Sequence, residues 1–72
     1  MSEIALWGLD YIIEEPAAVE QIIRSLADIE PDETYDGYHY LTKKYINGDR
    51  KIEIKRDHRD GKEVVEFYFK TN

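Results

Sequence analysis

Residues 35–70 read YDGYHYLTKKYINGDRKIEIKRDHRDGKEVVEFYFK, and this stretch decides the fold. Tyr, Ile, Val and Phe recur in it with a period of two, interrupted by Asn47-Gly48 and Asp60-Gly61. Both dipeptides suit two-residue hairpin loops in which each central residue takes a positive φ. The expectation is a three-stranded antiparallel meander over about 37–46, 50–57 and 62–70.

Two-residue loops set Ile46 opposite Asp49 and Arg59 opposite Lys62, and the remaining register follows. One face then carries the row Leu41, Ile54, Phe67, flanked by Lys43, Ile52, Phe69 and by His39, Arg56, Val65. The other face sets Lys55 against Glu66, an attractive pair. One discord remains, because Lys44, Lys51 and Lys70 align in a single row. A one-residue slip of the first hairpin would place Lys43 against Glu53, but the strength of the Asn-Gly signal favours the unslipped register.

Upstream of the meander, Val19, Ile22, Ile23 and Leu26 form an apolar stripe at helical spacing, which predicts a helix over about 16–29. Pro16 suits its first turn, and Glu14 and Glu15 favour the positive end of the helix dipole. Residues 3–14 read as a further helix or, alternatively, as an added strand. The helix reading is preferred because Glu3, Asp10 and Glu14 cluster on one side of a helical wheel, although Gly8 costs about 1 kcal/mol there. As a strand the segment would have two apolar faces and would call for a covering partner or a dimer. Either way the chain is a single two-layer α+β domain over residues 1–72.

At 72 residues and 8.6 kDa a second domain does not fit. Charged residues make up 36% of the chain, well above the usual ~25%, so a small core lies under an ionic surface. There is no cysteine, which excludes disulfides and thiolate chemistry. No apolar run approaches the ~20 residues of a membrane span and no signal peptide is evident, so the expected location is the cytoplasm, without a membrane partner.

Nothing in the sequence supports catalysis. Ser2 and Ser25 are the only serines, and neither sits in a nucleophile elbow. His39 and His58 lack zinc-site spacing, and the acids from Asp28 to Asp36 lack the glycine and terminal glutamate of a calcium loop. No phosphate-cradling glycine pattern occurs. The expectation is therefore a binding protein, not an enzyme, with no cofactor and no metal.

Charge divides unevenly along the chain. Residues 1–36 sum to −9 and residues 37–72 to +3, giving −6 in all. The acids Glu14, Glu15, Asp28, Glu30, Asp32, Glu33 and Asp36 mark one candidate surface, able to enter a basic groove in place of a polyanion. Tyr38, Tyr40 and Tyr68, set among Lys44, Lys51, Lys55 and Lys70, mark the other, since tyrosine suits protein interfaces and can stack on single-stranded bases. The acidic pI of about 4.8 weighs against nucleic acid. These features predict a small acidic module that binds a protein with a basic surface, as an inhibitor, antitoxin, immunity or phage anti-defence protein does. The alternatives are a single-stranded nucleic-acid binder and a dimerising structural subunit, so that the chain itself is a monomer or a homodimer.

Overall fold

The computed structural model describes residues 6–71. In chain order they form β1 (Leu6–Ile13), α1 (Pro16–Ser25), β2 (Glu33–Asp36), β3 (Tyr40–Asn47), β4 (Arg50–Asp57) and β5 (Glu63–Thr71). The strands make one antiparallel sheet in the order β1-β5-β4-β3-β2. The expected three-stranded meander is thus overturned: the sheet has five strands, with β1 added beside β5 and β2 beside β3.

The preferred helix over 3–14 gives way to a strand over Leu6–Ile13, residues 3–5 lying outside the described residues. Gly8 is the reason this segment pairs so closely. It sits opposite Phe69, and a Cβ added there would come within 2.7 Å of the Phe69 ring, so the aromatic lies across the bare backbone. Asp10 is an extra residue between Leu9 and Tyr11, a bulge that switches the side chains across the sheet. Trp7 and Leu9 therefore share one face, while Tyr11 and Ile13 share the other.

Both hairpin registers differ by two residues from the expected ones. Asn47 pairs with Arg50, so the first loop is Gly48-Asp49; Gly48 alone takes a positive φ, of 63°, which is the type II′ pattern with glycine first. The second loop spans residues 58–61, with Gly61 at φ 73° and its N–H donating to Asp57 O. A shift of two keeps every side chain on its expected face while changing its neighbours. Lys44 now opposes Glu53, and Lys51 lies between Ile46 and Tyr68, which removes the lysine row. Lys55 directly opposes Val64, yet its Nζ still reaches Glu66 diagonally at 2.8 Å.

Helix α1 starts where Glu15 caps it, accepting from the N–H groups of Ala17 and Ala18 at 3.2 and 2.9 Å. It ends at Ser25 and not at residue 29, because Leu26 leaves helical geometry and the chain turns back toward the sheet. There Asp32 anchors it twice. Its N–H donates to Lys44 O, and its carboxylate accepts from the N–H of Ile46.

The core lies between α1 and the sheet. Val19, Ile54 and Val65 are buried, and Ile13, Ile22, Ile23, Leu26, Tyr45, Ile52 and Phe67 pack around them. Rows Lys43, Ile54, Val65, Ile13 and Tyr45, Ile52, Phe67, Tyr11 replace the expected central row, and the Tyr11 and Phe67 rings stack at 4.5 Å. A ten-residue helix is ~15 Å long and ~10 Å wide, so it cannot cover five strands spaced at ~4.8 Å. An open groove beside it is lined by Leu26, Ile29, Leu41 and Tyr45.

Candidate functional site

The acidic and aromatic residues singled out in the sequence do not converge on one surface. Glu14 and Glu15 lie at the start of α1, whereas Asp28 and Glu30 lie beyond its end, and the ~15 Å helix separates the two pairs. All seven acids are exposed. Four of them are engaged: Glu15 caps α1, Asp32 holds Ile46 N–H, Glu33 lies 3.6 Å from Lys44 Nζ, and Asp36 Oδ1 lies 2.7 Å from His58 Nε2. Because β2 pairs with β3, and β1 with β5, the acidic half of the chain borders the basic half along both edges. Asp10 likewise lies 3.9 Å from Arg50. Folding has spent part of the charge polarity on internal pairs.

The lysines on the face without the helix are engaged as well. Lys51 is buried there, its Nζ 2.8 Å from Glu53 Oε2 and 4.7 Å from the centroids of both the Trp7 and Tyr68 rings. Lys70 sits over Trp7 at 5.6 Å. Tyr68 donates its hydroxyl to Glu66 at 3.0 Å, and desolvation together with that hydrogen bond raises its pKa well above the ordinary tyrosine range. Tyr68 therefore serves as a wall around Lys51. It is also remote from Tyr40, since Tyr68 is level with Ile46 and six residues along a strand span ~20 Å.

One corner does gather exposed groups. The β2–β3 hairpin turns through Gly37, Tyr38 and His39, with the N–H of Gly37 donating to Tyr40 O at 2.9 Å. Tyr35 lies across Gly37, where a Cβ would meet its ring at 2.7 Å. Tyr38 is 91% exposed and meets the His39 ring edge to face at 4.8 Å; Tyr35 and Tyr40 are also exposed. The β4–β5 loop braces this turn from the side. His58 donates its N–H to His39 O at 2.9 Å and holds Asp36 through its ring.

That loop is itself stiffened by Asp57. Its carboxylate accepts from Arg59 N, Nε and a terminal guanidinium nitrogen at 2.8, 3.0 and 2.8 Å. The hydrogen bonds from Arg59 hold the Asp57 carboxyl down to about 2, from an ordinary 3.8, and the same side-chain hydrogen bonds, with the carboxylate's charge, raise the Arg59 pKa. Three tyrosines thus stand within six residues on a clamped hairpin beside Glu33 and Asp36.

The sequence reading named Tyr38, Tyr40 and Asp36 but missed Tyr35, His39 and His58 as members of this corner. The signal available was YDGYHY itself, five of whose six residues are aromatic, imidazole or acidic. Among the described residues no group of three or more His, Asp or Glu is placed to hold a metal ion, and no helix is long and apolar enough to cross a membrane. Comparison with protein-family models, curated proteins and solved structures finds no match to this chain.

Proposed function

We propose that the chain is a small acidic protein-binding module of the cytoplasm that docks its β2–β3 corner on a basic surface of a nucleic-acid-acting protein, as an inhibitor, antitoxin, immunity or anti-defence protein does. The observation that carries this reading is the braced hairpin presenting Tyr35, Tyr38 and Tyr40 beside Glu33 and Asp36. Rigid tyrosines supply contact area at low entropic cost, and neighbouring carboxylates steer the encounter with a cationic surface. Asp28 and Glu30, which have no ion-pair partner among the described residues, extend the same charge toward the end of α1.

Single-stranded nucleic-acid binding fits less well, because Lys44, Lys51 and Lys55 already face carboxylates and Tyr68 is half-buried with its hydroxyl bound to Glu66. A basic surface free to neutralise phosphates is what such a binder needs.

The test is affinity capture from the native host with the wild-type chain beside Tyr38→Ala and the double variant Asp28→Lys, Glu30→Lys. These positions are chosen because none is buried or ion-paired, so the fold is retained. The expected result is a basic nucleic-acid-acting protein held by the wild type, released as salt rises, and lost from the variants. Equal recovery from all three proteins would refute the corner as the docking surface. Oligonucleotide binding at low salt that weakens on Lys44→Ala would support the nucleic-acid reading instead.

A further inference from the structure

We infer that β1 is a self-association edge, through which two copies of the chain join antiparallel across a two-fold axis into one ten-stranded sheet. The two edges of the sheet differ sharply. β2 is four residues long and carries Glu33 and Asp36, the short charged form that discourages pairing. β1 has eight residues, LWGLDYII, and among the described residues nothing pairs with its outer side. Such a strand offers a row of unused backbone donors and acceptors to any strand that can lie beside it.

Its side chains make the same case on both faces. Leu6 is 64% exposed, Leu9 49%, Tyr11 50% and Ile12 44%, two on either side of the bulge at Asp10. The single charge, Asp10, is drawn back toward Arg50 at 3.9 Å. Applied to whole residues of ~200–250 Å² each, those fractions leave roughly 450 Å² uncovered per copy, or about 900 Å² for two, backbone included. The smallest stable specific interfaces bury about 1,000 Å² in total, so a symmetric pairing of β1 with itself falls just below that size, in the range of a weak, reversible contact.

A second copy is the occupant that fits both faces at once. A strand added by a soluble partner must bring apolar side chains above and below the sheet, and β1 is itself such a strand. A two-fold axis perpendicular to the sheet makes the contact self-complementary and places both α1 helices on one side. It also leaves both β2–β3 corners at the outer ends. The inference does not rest on the docking role of that corner, which lies at the opposite edge of the sheet.

Sedimentation of the full chain from micromolar to millimolar concentration tests it, with circular dichroism confirming the fold of each variant. A reversible monomer–dimer equilibrium is expected, weakened about tenfold or more by Leu9→Lys or Ile12→Lys and unchanged by Tyr35→Lys on the other edge. Amide exchange within β1 should slow as concentration rises. A chain that stays monomeric at millimolar concentration overturns the inference. So does a dimer that neither lysine substitution weakens, or one whose β1 amides exchange at a rate independent of concentration.

Discussion

Lys51 Nζ lies 2.8 Å from Glu53 Oε2, with both side chains about nine-tenths buried on the face of the sheet that carries no helix. They sit two residues apart on β4, so both point to that face, and the rings of Trp7 and Tyr68 enclose the ammonium. Directly across the strand, Glu53 meets Glu66. Lys51 and Lys55 each bind one of these two carboxylates, which offsets their repulsion.

Removing one member should therefore cost more than removing both. Glu53→Ala leaves Lys51 buried and unpaired and should lower stability by about 3 kcal/mol. The double variant Lys51→Met, Glu53→Leu should recover most of that loss. Urea denaturation of the three proteins measures both quantities, and a double variant less stable than Glu53→Ala would contradict this account.

Gly8 and Phe69 form a second dependency. A methyl group at position 8 meets Phe69 Cζ at 2.7 Å, so Gly8→Ala should destabilise the chain by about 1–3 kcal/mol through overpacking. Phe69→Leu in the Gly8→Ala background should restore part of the loss. A double-mutant cycle by thermal or urea unfolding gives the coupling energy, which should be favourable between the two substitutions.

Asp57 sets an acid limb. Its folded-state carboxyl titrates near 2 and the unfolded one near 4, so the unfolded chain binds the proton more readily. Its contribution is complete above about pH 4 and falls away as pH drops toward 2. Asp57→Asn should flatten the stability profile between pH 4 and pH 2 relative to the wild type. Unfolding curves recorded across that window check the slope, and an unchanged slope would show that Arg59 does not hold the carboxylate in solution.

Which faces the side chains of β3, β4 and β5 occupy was legible from alternation alone. Ile52, Ile54, Val65 and Phe67 face the helix because apolar residues recur every second position, and the two-residue register shift leaves that parity untouched. Asn47-Gly48 signalled a turn but not its position: Gly48-Asp49 uses the same glycine with a different loop centre. Cross-strand charge favours the observed choice, since it sets Lys44 against Glu53 in place of a row of lysines.

The N-terminal segment was harder to read because its apolar residues fit neither period cleanly. The Asp10 bulge moves Tyr11 and Ile13 to the opposite face from Trp7 and Leu9, which breaks the alternation a strand would otherwise show. The candidate site suffered in another way. Tyr38 and Tyr40 were visible as residues, but the bracing of their hairpin by His58 joins positions far apart in the chain, and no local pattern encodes that contact.

By itself the sequence determined the alternating faces of the three C-terminal strands, the apolar stripe of α1 and the acidic excess of the N-terminal half, because each is a property of composition or of short-range period. Only the tertiary structure decided that β1 and β2 flank those strands, that acids of the first half meet bases of the second, and that β1 keeps an open apolar edge. Those outcomes depend on which distant segments pair, and pairing is fixed by the packing of Phe69 over Gly8 and the anchoring of Asp32 on β3, both of which join residues far apart in the chain.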